Sequence, residues 1–133
     1  MRRIIAPSVL SADFGNLERD IKMLDRSQAE WVHIDVMDGV FVPNISFGFP
    51  LMKPMRKATN KVLDVHLMIT APEKYVTRFV EAGADYVTFH YEATENIEEC
   101  INLIREAGAK VGISIKPGTS PEVLDELLPK LDM

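Results

Sequence analysis

Several features are scarce or missing in this sequence. Its 133 residues include one cysteine, Cys100, so no intrachain disulfide can form and a reducing compartment is indicated. Lysine and arginine number 15 against 20 acidic residues, a net charge of -5 without a basic stripe, which argues against a nucleic-acid partner. No apolar run approaches membrane length, and none resembling a secretory signal precedes Pro7. We therefore expect a cytoplasmic protein that binds neither nucleic acid nor membranes.

What the sequence does contain is a repeated alternation of short β-branched runs with amphipathic stretches of helical length. This pattern is typical of α/β proteins in which βα units wind a parallel sheet. Strands are predicted at residues 4–8, 31–36, 62–67, 86–90 and 110–115. Helices are predicted to start near Asn16, Pro50, Pro72, Thr94 and Pro121. The glycines in segments 82–85 and 107–110 predict where two of these helices end.

The closure of the predicted sheet is not decided by this pattern. Open doubly wound sheets and closed (β/α)8 barrels both produce it. A complete barrel needs roughly 200 residues or more. After five predicted units, residues 129–133 look like the beginning of a further strand. We expect residues 1–133 to form one domain that is part of a longer chain.

The second predicted strand has polar residues at alternate positions of an apolar run. Residues two apart on a strand share a face, so His33, Asp35 and Met37 are predicted to project together. A buried histidine beside an aspartate has two interpretations that this strand alone leaves open. Either Asp35 fixes the tautomer of His33 in a hydrogen-bonded core pair, or both residues are metal ligands.

The third predicted strand favours the metal interpretation, because it places His66 and Met68 two residues apart near its C-terminal end. In a parallel barrel those ends converge at one mouth, where active sites lie. His33, Asp35 and His66 together offer two imidazole nitrogens and a carboxylate, which suit Zn²⁺, Fe²⁺, Mn²⁺ or Co²⁺. Since three protein ligands leave coordination positions open, one divalent metal ion of the catalytic kind is predicted.

Further candidates lie at or after the ends of predicted strands. Ser8 is suited either to a substrate hydroxyl or to capping a turn. His90 is interpreted as an outer partner of the site and not as a ligand. Lys116, which precedes a Pro-Gly pair, is interpreted as a solvated turn residue in preference to a phosphate ligand. The partly apolar loop at residues 38–48 is either a lid or a loop packed on its neighbours.

Five motifs occur in order along the chain: residues 6–14 (APSVLSADF), 33–39 (HIDVMDG), 41–44 (FVPN), 64–68 (DVHLM) and 116–119 (KPGT). Together they resemble the ribulose-phosphate 3-epimerase family. The resemblance implies a parallel (β/α)8 TIM-type barrel, of which this chain supplies roughly the first five βα units. It also implies interconversion of D-ribulose 5-phosphate and D-xylulose 5-phosphate by inversion at carbon 3.

The resemblance assigns roles to individual residues. His33, Asp35, His66 and one later aspartate would bind a divalent metal ion that stabilises an enediolate intermediate, and Asp35 would be the catalytic acid and base on one face of that intermediate. The residues placed against the sugar-phosphate substrate are Ser8, His66, Met37 and Met68. The family's second catalytic aspartate and its phosphate-binding loops fall on later units, so the 133-residue chain alone is predicted to be inactive.

Two alternatives stay open beside this assignment. The same metal chemistry serves a 3-epimerase of another ketose phosphate, such as allulose 6-phosphate. The missing aspartate and phosphate loops favour instead a noncatalytic barrel fragment that binds metal or associates with itself. Unpaired parallel edges at the first and fifth predicted strands indicate a homo-oligomer.

Overall fold

A computed structural model describes residues 3–133; the two residues before them, part of the stretch searched for a secretory signal, lie outside the described part. The centre of the fold is one sheet of four parallel strands, β1 (Trp31–Met37), β2 (Val62–Met68), β3 (Tyr86–His90) and β4 (Lys110–Ser114). The strands lie side by side in chain order, so every crossover advances one position in the same direction. That order is the winding of a β/α barrel, whereas a doubly wound sheet reverses direction at a switch point.

Four α-helices alternate with the strands: α1 (Leu17–Asp25), α2 (Phe49–Ala58), α3 (Val76–Glu81) and α4 (Ile97–Glu106). The starts predicted near Asn16, Pro50 and Thr94 each lie within three residues of the observed ones. At Pro72 the chain first forms a 3₁₀ turn, Pro72–Lys74, and α3 begins after it. No helix within residues 3–133 combines the length and the apolar character that crossing a bilayer requires.

The helix predicted from Pro121 is wrong. This segment forms two short 3₁₀ turns, Pro121–Leu124 and Leu128–Lys130. Pro129 has no backbone N–H, and its ring would clash with the carbonyl four residues earlier in a regular helix. Pro129 therefore disfavours a regular helix over residues 125–129. The whole segment is held by bonds between residues three apart, such as Leu127 N–H to Leu124 O at 2.8 Å.

The strand predicted at residues 4–8 is reduced to one parallel bridge, between Ser8 and His33. The Pro7 carbonyl accepts from the His33 N–H at 2.9 Å, as in a ladder. Further pairing is limited because Pro7 has no N–H and the Ile5 N–H donates to the Glu30 carboxylate, at 2.9 Å. The segment therefore lies along β1 and carries Ser8 to the polar side of the sheet.

The β4 edge of the sheet is partly covered, contrary to the expectation of an unpaired edge there, whereas at the other side the segment predicted as the first strand itself lies along β1. At the β4 edge the Val111 carbonyl accepts from the N–H groups of Asp132 and Met133, at 2.8 and 3.2 Å, and Ile113 N–H donates to Met133 O at 3.0 Å. The β4 edge alone therefore does not require a second copy of the chain.

The sheet has one apolar face and one polar face, because successive strand residues point to opposite sides. The helices pack on the apolar face, and burial of each large side chain there contributes about 1.5–3 kcal/mol. Fully buried members of this core are Val32, Ile34, Leu63, Val65, Phe89, Ile21, Met52 and Ile104. The opposite face carries the histidines, so the side chains that stabilise the fold are separate from those available for chemistry.

Glycines end two helices, as predicted. Gly83 follows α3 with φ 120°, and Gly108 follows α4 with φ 99°. L-residues rarely adopt such positive φ values, whereas glycine does so without steric strain. The two positions differ in their surroundings. A Cβ at Gly83 would lie 2.8 Å from Cγ and Cδ of Arg56, whereas a Cβ at Gly108 would meet nothing within 4 Å.

We expect Gly83→Ala to lower the free energy of unfolding more than Gly108→Ala. Both place alanine at positive φ, a strain of about 1–2 kcal/mol. Only Gly83→Ala also displaces Arg56, whose Nη2 donates to the carbonyls of Thr59 and Lys61 at 2.8 and 2.6 Å. Urea denaturation of the two variants measures the difference. Equal losses would show that the contact with Arg56 relaxes freely.

Candidate metal centre

Three side chains from β1 and β2 meet on the polar face of the sheet. His33 and Asp35 lie two residues apart on β1, and His66 is the register partner of Asp35 on β2. His33 Nε2 lies 3.0 Å and His66 Nδ1 lies 3.1 Å from the same oxygen, Asp35 Oδ1. One possible ligand atom from each of the three residues lies within 4.8 Å of the others. The structure thus brings together all three residues predicted as metal ligands.

Asp35 is the residue on which this cluster converges. Its second oxygen, Oδ2, accepts a hydrogen bond of 2.6 Å from the Ser8 hydroxyl. Burial by itself would raise the pKa of Asp35, but the hydrogen bonds from His33, His66 and Ser8 outweigh it and hold the pKa well below its usual range. The carboxylate is therefore ionised at neutral pH.

His33 lies between two carboxylates. Nε2 faces Asp35, and Nδ1 lies 2.7 Å from Oδ2 of Asp64, its register partner on β2. The hydrogen bonds with Asp35 and Asp64, opposed by burial, raise the pKa of His33 to about 10. Without a cation, the ring is accordingly an imidazolium at neutral pH, and both of its nitrogens donate.

His66 has a different outer neighbour. Its Nε2 lies 2.8 Å from Nε2 of His90 on β3, and the two rings stack with centroids 5.0 Å apart. Burial, followed by the charge of His66, lowers the pKa of His90. His90 Nδ1 faces Glu92 at 3.6 Å, beyond hydrogen-bond distance. His90 therefore lies behind His66 and outside the group of three, the place expected of an outer partner.

The residues predicted to contact the substrate lie next to the cluster. Met37 and Met68 are register partners at the C-terminal ends of β1 and β2, one strand repeat beyond Asp35 and His66 on the same face. Both are partly exposed. Ser8 has the turn-capping role that the sequence allowed, and its contact with a substrate hydroxyl stays a prediction. Its hydroxyl accepts from Leu10 N–H at 3.3 Å, as a turn cap, and also donates to Asp35.

The loop at residues 38–48 follows β1 and packs on its neighbours. Asp38 anchors it, with Oδ1 accepting from the N–H groups of Val40 and Phe41 and Oδ2 from the N–H of Thr70, each at 2.8 Å. Burial opposes the change, but these backbone hydrogen bonds lower the pKa of Asp38 to about 2. The Phe41 ring lies 5.0 Å from that of His90. The loop therefore reaches the outer partner of His66.

Lys116 contacts this loop. Its Nζ lies 4.0 Å from the centroid of the Phe41 ring, within the range of a cation–π interaction. Its backbone N–H donates to Glu92. Lys116 is exposed, as expected of a turn residue, but its charge is directed onto an aromatic face. It connects the loop after β1 with the turn after β4.

Two functional candidates were missed in the sequence. Asp64 contacts His33, and Asp38 holds the loop after β1. The i,i+2 rule places Asp64 on the same face as His66, a signal that was available within residues 64–68. Its contact with His33 depends on the register between two strands, which neither strand encodes by itself.

Family and sequence comparisons with known proteins point to the same family over nearly the whole chain. The model of the ribulose-phosphate 3 epimerase family matches residues 4–133. Ribulose-phosphate 3-epimerase of Eremothecium gossypii is 49% identical over 100% of this chain and 60% of its own length. The protein of that name from Treponema pallidum is 48% identical over 97% of this chain and 59% of its own length. The chain thus spans about 60% of these relatives.

A solved structure shows the same fold at low sequence similarity. Orotidine 5'-monophosphate decarboxylase from Methanocaldococcus jannaschii, complexed with the inhibitor BMP, superimposes with a TM-score of 0.56 at 15% identity. The match covers 97% of this chain and 58% of the decarboxylase. It supports the predicted α/β barrel class and carries no information on activity. From the family match over residues 4–133, the chain belongs to the ribulose-phosphate 3-epimerase family.

Proposed function

We propose that this chain takes part in the metal-dependent 3-epimerisation of D-ribulose 5-phosphate to D-xylulose 5-phosphate. Family membership supports an epimerase acting on a pentose phosphate. The observation that carries the metal dependence is the meeting of His33, Asp35 and His66 at one point of the polar face. A sugar phosphate is the proposed small-molecule partner.

The donor set fits a divalent cation. Both imidazole nitrogens that face Asp35 Oδ1 are close enough to donate hydrogen bonds to it, at 3.0 and 3.1 Å. A cation held by these three atoms would take the place of those protons. Two nitrogens and one oxygen suit Zn²⁺, Fe²⁺, Mn²⁺ or Co²⁺, and three ligands leave positions for substrate oxygens.

Asp35 is the proposed acid and base at carbon 3 of the substrate. A carboxylate with so low a pKa is ionised and ready to accept a proton, but it is a weak base. A bound divalent cation would supply the missing driving force as a Lewis acid, by stabilising the negative charge that develops when the C–H bond breaks. The Ser8 hydrogen bond fixes the orientation of the carboxylate.

The remaining predicted residues are proposed to shape the substrate site. Met37 and Met68 present uncharged side chains that limit the access of water without competing for the substrate's proton. Ser8 and His66, whose side chains contact Asp35, are proposed to contact substrate oxygens as well. Inversion needs a second acid and base on the other face of the planar intermediate, and Asp35 is the only carboxylate in the cluster found within residues 3–133. The 133-residue chain alone is therefore proposed to be inactive.

A cytoplasmic location and assembly into a homo-oligomer are also proposed. The location is supported by the single cysteine, Cys100, which is buried and unpaired and therefore suits a reducing compartment. The oligomer is supported by apolar side chains that stay exposed near the start of the chain and in the loop after β1, namely Ile5 at 60%, Phe14 at 50% and Ile45 at 74%.

Replacing Asp35 by asparagine in the full-length enzyme is expected to slow exchange of the substrate's carbon-3 proton with solvent by about 10²–10⁴-fold, because the amide cannot accept the proton. Deuterium uptake followed by NMR measures this exchange. Asp25→Asn is the matched control. Asp25 accepts from Thr59 and Asn60 at the opposite, N-terminal edge of the sheet and should leave exchange unchanged. Exchange retained in Asp35→Asn removes Asp35 from the mechanism.

Metal affinity is expected to rise with pH between about 6 and 9. Because the pKa of His33 is raised to about 10, the ring is protonated over this range and must lose a proton when Nε2 binds a cation. Each displaced proton makes the affinity about tenfold greater per pH unit. Competition with a chelator of known affinity measures the dependence. His33→Gln, which has no proton to lose at this position, should bind more weakly and with a smaller slope. An affinity that is independent of pH would contradict the assignment of His33.

A further inference from the structure

Asp64 lies behind the candidate metal centre and has no role in the reaction proposed above. It is on β2, directly across from His33, and only 4% of it is exposed. Its Oδ2 lies 2.7 Å from His33 Nδ1. This is the shortest of the contacts that the two metal-facing imidazoles make with carboxylates.

The chemistry of this contact determines which His33 nitrogen has a lone pair available to bind a cation. The carboxylate oxygen accepts the hydrogen bond in this contact, so the Nδ1 that faces it carries the hydrogen. When the ring is neutral, the lone pair is then on Nε2, the nitrogen that points to Asp35. His66 is not constrained in the same way, because its outer neighbour is His90, whose nitrogen is able to donate or accept.

The other oxygen of Asp64 indicates that packing does not explain this residue. Within the part of the chain that the structure describes, Oδ1 is buried and finds no hydrogen-bond partner. A buried acceptor without a partner destabilises a fold, and an apolar side chain of similar size would avoid this penalty. The benefit of a carboxylate here is therefore its contact with His33.

We infer that Asp64 is a positioning residue for the metal centre, one that orients the His33 ring and keeps Nε2 as the nitrogen offered to a divalent cation. The inference rests on the metal-binding role proposed for His33. Outer carboxylates on metal-binding histidines have two effects, fixing the ring and increasing its donor strength. Asp64 is suited to both, since its buried strand position holds it in place.

Two variants separate these effects from a general loss of structure. Asp64→Leu removes the acceptor, and Asp64→Asn keeps a neutral acceptor of the same shape. We expect Asp64→Leu to weaken Co²⁺ binding by about 10–100-fold, with a smaller loss for Asp64→Asn. Chelator competition gives the affinities, and the visible absorption of bound Co²⁺ reports the ligand geometry. NMR of the imidazole hydrogens adds a readout without metal, because the His33 Nδ1–H signal should be protected in the wild type and lost in Asp64→Leu.

Asp85→Asn is the matched control. Asp85 precedes β3, and its carboxylate accepts at 2.8 Å from the N–H of Leu63, the residue before Asp64. Within residues 3–133, the hydrogen-bond partners of the Asp85 side chain include no histidine. The Asp85→Asn variant should bind Co²⁺ with the affinity and the visible spectrum of the wild type. Far-UV circular dichroism confirms that each variant is folded, and if Asp64→Leu is not, Asp64→Asn carries the comparison.

The possible outcomes distinguish this inference from the function on which it rests. If the wild type binds Co²⁺ and both Asp64 variants bind it equally well with the same spectrum, Asp64 has no positioning role and the proposed function stands. If the wild type binds no Co²⁺, both the metal assignment and the role of Asp64 are overturned. Graded weakening in the order wild type, Asp64→Asn, Asp64→Leu supports the inference.

Discussion

The parallel pairing of β1 with β2 is the constraint on which the candidate site depends. In this register Asp35 lies across from His66, and His33 lies across from Asp64. Side chains at paired positions share a face, so two short polar patterns become one cluster. A shift of one residue would turn all of β2's polar side chains into the helix-packed core and its leucines toward the site. The same hydrogen bonds that build the sheet therefore assemble the metal ligands.

The separation of the two faces allows this cluster to exist. The helix-packed face buries a continuous set of apolar side chains and supplies the hydrophobic stabilisation. The polar face contains polar atoms that are buried without partners. Among the residues described, buried side-chain atoms without hydrogen-bond partners are Asp64 Oδ1, Thr88 Oγ1, His90 Nδ1 and Glu92 Oε2, all from β2, β3 or the turn after β3. Unfavourable polar burial is thus confined to the side where ligand chemistry would use it.

The sequence was sufficient for features that depend on one element at a time. The alternation in β1 placed His33 and Asp35 on one face, and the glycines at positions 83 and 108 marked helix ends. It was insufficient where neighbouring elements decide. Asp64 could be linked to His33 only through the register of two strands. The segment at residues 4–8 looked like a strand because of its β-branched residues, but Pro7 and the side chain of Glu30 limit its pairing. The helix predicted from Pro121 is replaced by two 3₁₀ turns, and Pro129 disfavours a regular helix over the second part of that segment.

The proposed chemistry requires that two imidazoles and one carboxylate bind a single divalent cation. X-ray absorption at the zinc edge, on protein loaded with one equivalent of Zn²⁺, tests it most directly. We expect scattering from two histidine rings, with Zn–N distances of about 2.0–2.1 Å, together with carboxylate oxygen. A spectrum with one histidine ring or none, or with sulfur bound to the metal, would contradict it.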